Sequence, residues 1–295
     1  MRIIINADDF GRSAEINAAV IRAYREGVLT SASLMVAGEA MEEAVALARA
    51  HPGLAVGLHL AVSDGRTVLP PAEVSHLVDG RGLMPADPFL LGLRYAFCRA
   101  ARRELWREME AQFARFTATG LPLSHVDCHM HLHMHPSIFK RLLPLAVKYG
   151  ARGVRLPRDT FRPAFLHGRG RRARMAAWFL TFGLLCLGRA RRLRGLGLAA
   201  ADRVHGLLRT GAMDEAYVLE IIARAGPGTT EIYFHPSLES RDPLGPNPGD
   251  LATLLSPAVR RAIEERGLIP AAYADIQSLL PGFSFACGRP RGEGS

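Results

Sequence analysis

Five of the chain's eleven histidines fall in one short run, His125-Val126-Asp127-Cys128-His129-Met130-His131-Leu132-His133-Met134-His135, followed by Pro136. Imidazole is the commonest metal ligand, and this spacing keeps ligand pairs together under either local conformation. On a strand, Asp127, His129, His131, His133 and His135 share one face. On a helix, His129 and His133 meet one turn apart. A catalytic metal takes about three protein ligands and leaves a position for water, so the other histidines must be supporting partners, substrate contacts or surface. The adjacent acids Asp8-Asp9 and the isolated His59 and His235 add what metal-assisted hydrolysis needs: a carboxylate ligand, a spare carboxylate as base and a separate histidine as acid. Each has a plainer reading alone, since aspartates cap turns and a histidine on an apolar strand is often a satisfied core residue.

The elements that must position these residues alternate. Arg2 to Ala7 reads as a buried β-branched strand and Ser13 to Arg25 as a helix with Ser13 as N-cap and Gly27 as stop. A strand over Ser33 to Ala37, a helix over Met41 to Ala50 and a strand over Leu54 to Val62 follow. Residues 63 to 101 are punctuated by Pro and Gly and read as an irregular excursion. A helix over Arg103 to Phe116, then Gly120 and a short strand, lead into the histidine run; a helix from Pro136 to about Lys148 and a strand over Gly153 to Leu156 follow. Further on, the pattern predicts helices over Asp214 to Ala225 and Pro257 to Glu265. A strand over Thr230 to Phe234 and a last strand and helix between Leu268 and Leu280 complete the reading. A βαβ alternation implies an α/β fold with a mainly parallel sheet, whose sites gather at the C-terminal ends of the strands. Asp8, Asp9, His59, the 125–135 run and His235 each close a predicted strand, which puts them at one rim.

With 295 residues and 48% apolar side chains, the chain can bury a full core. The net charge of +9 is not spread over the surface. Residues 152 to 194 hold twelve arginines and one acid, while the rest holds 25 basic against 27 acidic residues. A basic excess confined to one segment argues for a local anionic partner surface and against nucleic acid, for which no aromatic-interleaved groove or helix-turn-helix pattern is present. Cys98, Cys128, Cys186 and Cys287 are irregularly spaced with no CxxC pair, which fits a reduced cytoplasmic setting. The apolar run at the N-terminus is too short for an export signal.

Asn6-Ala7-Asp8-Asp9-Phe10-Gly11, Gly57-Leu58-His59, the run from His125 to His133 with Pro136, and Glu231 through His235-Pro236 resemble the YdjC-like carbohydrate deacetylases in order and spacing. The resemblance covers about residues 2 to 160 and 214 to 280. It implies a distorted (β/α) barrel-like fold related to polysaccharide deacetylases, one divalent metal (magnesium or zinc) and removal of N-acetyl groups from amino sugars. Carried over residue by residue, it makes Asp9, His59 and His129 the metal ligands, Asp8 the general base and His235 the acid for the leaving amine. Arg155 matches a basic position near the substrate, and His131 and His133 are expected as substrate or supporting contacts. Cys128, where the family more often has serine, and the extra His135 depart from the pattern without touching an assigned ligand.

Between Arg155 and the next family-like segment lie Arg169, Arg171, Arg172 and Arg174, then fourteen uncharged residues from Met175 to Gly188, then Arg189, Arg191, Arg192 and Arg194. Fourteen residues make ~21 Å of helix, short of the ~30 Å hydrocarbon core. An interfacial segment over 169–194 is therefore expected, with Trp178, Phe179, Phe182 and Leu185 dipping into a membrane surface and arginines on lipid phosphates. Length and insert resemble the hopanoid-biosynthesis-associated members of the family, called HpnK, which implies an N-acetylglucosaminyl hopanoid as substrate and a peripheral position at the inner face of the membrane. The expected organisation is one catalytic domain over 1–285, interrupted by a basic, apolar insertion at 160–212 and followed by a flexible tail at 286–295; oligomerisation is left open. A soluble chito-oligosaccharide deacetylase, a metallo-phosphoesterase and a non-catalytic membrane-associated scaffold are the competing readings.

Overall fold

A computed structural model describes residues 1–168, 172–240 and 245–280. Arg169, Arg171, Cys287 and the expected tail at 286–295 lie outside the described residues. Eight strands pair in parallel in one sheet: β1 (Arg2–Phe10), β2 (Ser31–Leu34), β3 (Ala55–Leu60), β4 (His125–Cys128), β5 (Gly153–Val154), β6 (Arg203–His205), β7 (Thr229–Phe234) and β8 (Ile269–Pro270). The order is β5-β4-β3-β2-β1-β7-β6, with β8 against the first residues of β1. The helices are α1 (Ala14–Glu26), α2 (Met41–Ala50), α3 (Pro88–Phe97), α4 (Arg99–Ala118), α5 (Pro136–Lys148), α6 (Phe161–His167), α7 (Arg172–Cys186), α8 (Arg189–Gly195), α9 (Glu215–Ala223), α10 (Pro248–Leu254), α11 (Pro257–Glu265) and α12 (Tyr273–Gln277).

The alternation read from the sequence is the one that folds. Ser13 caps α1 by accepting a hydrogen bond from the Ile16 amide, and Gly27 ends the helix. Three elements depart from expectation. The stretch 63–101 contains α3, started by Asp87, whose side chain accepts from the amides of Phe89 and Leu90, with Pro88 at the first helical position. The short α10 was not foreseen. The stretch 160–212, expected as an insertion, contains β6, which pairs with β7 from Arg203 to His205.

The sheet curls until its two edges nearly meet. The Val154 amide donates to Ala199 O at 2.9 Å, that of Ala199 to Arg152 O at 2.9 Å and that of Val204 to Arg158 O at 3.1 Å, joining the β5 side to the β6 side. Curling gives each strand an outer and an inner face, and side chains alternate between them. Ile3, Ile5 and Ala7 of β1, Val56, Leu58 and Leu60 of β3, Val126 and Cys128 of β4, and Ile232 and Phe234 of β7 point outward into the helix-covered core. Ile4 belongs to a separate inner cluster with Tyr273 and Ile276. The residues that alternate with the outer set are Asn6 and Asp8, Ser31 and Ser33, His59, His125 and Asp127, Glu231 and Tyr233, all buried. A polar interior thus follows from strand periodicity. It is tightly packed: a Cβ on Gly57 would lie 2.5 Å from the His125 ring.

α7 is 15 residues long and apolar on nearly all sides. No helix among the described residues is long and apolar enough to cross a membrane. Trp178, Phe182 and Leu185, expected to dip into lipid, pack against the body instead. Phe179, expected with them, is exposed, as are Leu180, Leu184 and, just past the end of α7, Leu187.

Candidate metal centre and active site

Two acids adjacent on a strand normally face opposite ways. Here β1 bulges between Ala7 and Phe10, and Asp9 takes a left-handed backbone with φ 64°, so both carboxylates reach the interior. Such strain in a non-glycine residue persists where surrounding structure over-determines it, as at functional sites. Asp9 Oδ1 lies 3.4 Å from His59 Nε2 and 3.3 Å from His129 Nδ1. The three residues each offer a ligand atom within 4.8 Å of the others.

The neighbours fix how these ligands present themselves. His59 Nδ1–H donates to Asp127 Oδ1 at 2.8 Å, which leaves the lone pair of Nε2 aimed at Asp9. A carboxylate behind a histidine sets its tautomer and raises its basicity as a ligand. Asp64 stands 3.5 Å from His129 Nε2 in the same way, and Arg12 engages the second Asp9 oxygen at 3.1 Å. Asp9 Oδ1 and His59 Nε2 are nevertheless buried with no hydrogen-bond partner. Two orphaned donor atoms side by side are costly, and a cation between them removes the cost. Burial opposes a charge on His59, yet Asp127 and Asp9 push its pKa up to about 10. Burial likewise works to raise Asp9, yet His129 and His59 hold it well below the ordinary range. The field at this point favours positive charge, and two imidazoles with one carboxylate suit zinc, or a harder divalent ion with added waters.

Beside the cluster lies a charge network centred on Arg155, which directly follows β5. The fully buried guanidinium binds both oxygens of Asp8, at 2.7 and 2.9 Å. It also meets Asp127 Oδ2 at 2.7 Å and Glu231 Oε1 at 2.8 Å. Asp8 Oδ1 further accepts from Asn6 Nδ2 at 2.8 Å. The second Glu231 oxygen accepts from the Tyr273 hydroxyl at 2.6 Å, and the Tyr233 ring stacks under the guanidinium. His235 comes from the end of β7; its Nε2 is 4.0 Å from Asp8 Oδ2, and its Nδ1 has no hydrogen-bond partner. Its side chain is 13% exposed against 2% for Asp8, so it borders the space a ligand would enter. A candidate metal-ligand cluster, a carboxylate and a histidine therefore lie close together at the C-terminal ends of the strands, an arrangement able to activate water and to hand a proton to a leaving group.

The profile of the YdjC-like protein family matches residues 2–265. The chain belongs to the YdjC-like family. It is 45% identical over 149 residues to a carbohydrate deacetylase of Brevibacillus brevis, a match covering 50% of this chain and 57% of that protein. It is 40% identical to a carbohydrate deacetylase of Geobacillus stearothermophilus, covering 55% and 66%. The chain thus spans about three fifths of these two relatives' length. A chitooligosaccharide deacetylase of Serratia marcescens is 29% identical over 93% of this chain and 98% of its own. The crystal structure of an Enterococcus faecalis protein named for cellobiose-phosphate cleavage shares the fold, with a TM-score of 0.70, 24% identity, and 93% and 98% of the two chains covered.

Within this YdjC-like site, Arg155, His131 and His133, expected as substrate or supporting contacts, are all buried. Arg155 is fully buried and engaged by the carboxylates of Asp8, Asp127 and Glu231. The shared face expected for the histidine run ends at Cys128: a 3-10 turn over His129–Met134 follows, with left-handed Met130 and His131. This turn sends His129 to Asp9 and folds the next two histidines inward. His133 Nε2–H donates to Arg155 O at 2.8 Å, and burial drives its pKa down to about 4. His131 pairs with the Tyr233 hydroxyl at 2.7 Å and lies edge-on to Phe182 of α7. His135, past the turn, is half-buried. Sequence reasoning missed Asp64, Ser33 and Tyr273. Ser33 accepts from Asn6 Nδ2 at 2.8 Å and donates to Asp127 at 2.7 Å. A lone acid such as Glu231 in an apolar strand was a usable signal for the network, whereas nothing local marks Asp64 or Tyr273.

Proposed function

We propose that this chain is a metal-dependent hydrolase that removes the N-acetyl group from an amino sugar. The observation that carries the reading is the Asp9, His59 and His129 cluster, with two orphaned donor atoms, set beside Asp8 and His235. The names of the relatives agree with it. A divalent cation held by the three ligands supplies Lewis acidity to the amide carbonyl and makes water acidic enough to react near neutral pH. Asp8, held by Arg155 and Asn6 beside the ligand cluster, takes a proton from the attacking water. His235 delivers a proton to the nitrogen as the C–N bond breaks, without which the amine is a poor leaving group. Each proton transfer contributes about 10² to 10⁴ in rate. The products are acetate and the free amino sugar.

The substrate we favour is N-acetylglucosamine carried on a hopanoid lipid, presented at an anionic membrane surface to the basic, apolar segment 172–194. The support is compositional: the outward leucines of α7 sit between arginines. The Serratia relative, matched along nearly its whole length, favours a soluble chito-oligosaccharide as the second reading. Acetate release separates them. With an N-acetylglucosaminyl lipid and with N,N'-diacetylchitobiose, acetate is expected from the lipid at the higher kcat/KM, abolished by a chelator and restored by zinc or magnesium. Preference for chitobiose moves the assignment to the soluble substrate, and chelator-resistant acetate removes the metal from the proposal.

A further inference from the structure

α3 is a short helix whose apolar residues face outward. Leu91 and Tyr95 anchor it, with the Tyr95 hydroxyl donating to Val62 O at 2.7 Å. Phe89, Leu90, Leu93 and Phe97, spaced along one side of the helix, are exposed, Phe97 by 81%. An outward aromatic and aliphatic stripe of this kind is not ordinary surface. α7 presents a second such stripe through Leu180, Leu184 and, just past its end, Leu187, the last 72% exposed. Both helices pack against the His129–Met134 turn that carries a candidate metal ligand, so both stripes belong to elements adjoining the site.

The charge beside these stripes is mainly positive, with the exposed Asp87 at the start of α3 and Glu104 in α4 as the acids that flank α3 in sequence. Residues 88 to 103 hold Arg94, Arg99, Arg102 and Arg103 and no acid, and residues 172 to 195 hold six arginines and no acid. Apolar side chains presented outward and bordered by arginines match a bilayer surface, where the apolar groups enter the acyl boundary and the cations meet phosphates. A protein partner with an apolar face would need its own acids to answer ten arginines.

We propose that α3 is a second membrane-docking element, and that α3 and α7 together seat the mouth of the site on an anionic lipid surface. The inference rests on the lipid-surface reading above for its partner and adds an element which that reading lacks. Neither stripe is a span; each lies in the interface, with the adjoining active site at headgroup level.

The test is sedimentation of the full chain with phosphatidylcholine vesicles, with and without phosphatidylglycerol. Wild type is expected to bind the phosphatidylglycerol vesicles more tightly, and added salt to weaken that binding. The triple variant Phe89→Ser, Leu93→Ser, Phe97→Ser is expected to bind them roughly tenfold more weakly, and Leu180→Ser, Leu184→Ser, Leu187→Ser to do the same. The α3 variant should still release acetate from diacetylchitobiose at the wild-type rate, which shows that it folds. Unchanged vesicle binding by the α3 variant overturns the inference and leaves the α7 reading intact. If wild type ignores vesicles and the α3 substitutions instead dissolve an oligomer seen by light scattering, the stripe is a contact between copies and the inference is likewise overturned. Loss of acetate release from every substrate by wild type, with vesicle binding as expected, sinks the proposed reaction and not this surface.

Discussion

Asp8 and Asp9 are adjacent in sequence and opposite in surroundings. Asp9 Oδ1 has no hydrogen-bond donor and faces two imidazoles, whereas both Asp8 oxygens are held by Arg155. In the proposed mechanism the same side chain thereby serves as a ligand in one position and as a base in the other. Asp9→Ala is expected to lose stoichiometric metal, measured by elemental analysis after dialysis. Asp8→Ala is expected to keep the metal and lose about 10² to 10⁴ in kcat. Equal metal loss in both variants would undo this division.

At the scale of elements, β4 shows how a strand's inner face sets protonation. His125 and Asp127 point inward together, and the His125 ring stacks on Tyr273 with its centroid 4.8 Å away. His125 Nε2–H donates to Ser33 Oγ at 3.0 Å. Burial is the main cause that lowers its pKa from 6.5 to about 4, with Arg155 acting in the same direction and Asp127 against. The native state therefore keeps this ring neutral where the unfolded chain would protonate it. The stabilisation is complete above about pH 6.5 and is lost progressively as pH falls towards 4, by up to about 3 kcal/mol. Urea midpoints at pH 7 and pH 4.5 should differ less in His125→Gln than in wild type. An undiminished difference would assign the acid sensitivity to other groups.

Over the whole molecule, one guanidinium ties the sheet together. Arg155, at the end of β5, joins carboxylates from β1, β4 and β7, strands that are distant in the chain and brought together only by the curl. Removing it takes the shared cation from three buried carboxylates, of which Asp127 keeps His59 as a partner, a loss of about 3–5 kcal/mol. In a chain of this size that lowers Tm by roughly 6–20 °C. Arg155→Met should show the full effect in a thermal melt and Arg155→Lys a smaller one, since lysine keeps the charge but not the fork. A methionine variant that melts like wild type would mean that the carboxylates are neutral and the network is not ionic. The charge distribution belongs to this scale too: a near-neutral remainder carries its excess in residues 152–194, the segment that includes the outward leucines Leu180, Leu184 and Leu187.

The sequence by itself determined the alternation of strands and helices, the helix caps at Ser13 and Gly27 and the place of the ligand candidates at strand ends. These depend on residue periodicity and local backbone chemistry, which are written in a few consecutive residues. It also singled out Asp8, Asp9, His59, the 125–135 run and His235, because polar side chains that end apolar strands stand out; His129 was picked from that run only by the family resemblance. Only the tertiary structure decided what these residues touch. The left-handed turn at Met130 and His131 replaced the shared strand face, because the chain must bend back at the end of β4 to enter α5. Asp64 comes from a stretch read as irregular and Tyr273 from the last helix, and no spacing links either to the site. β6 is three residues long, too short for a periodic signal, and α3 hid among prolines and glycines. Arg155 was legible as a basic residue within a predicted strand, at a position the family resemblance marks. Its role was not, because three carboxylates converge on it only when the sheet has curled and a low-dielectric interior makes their charges answer to one another.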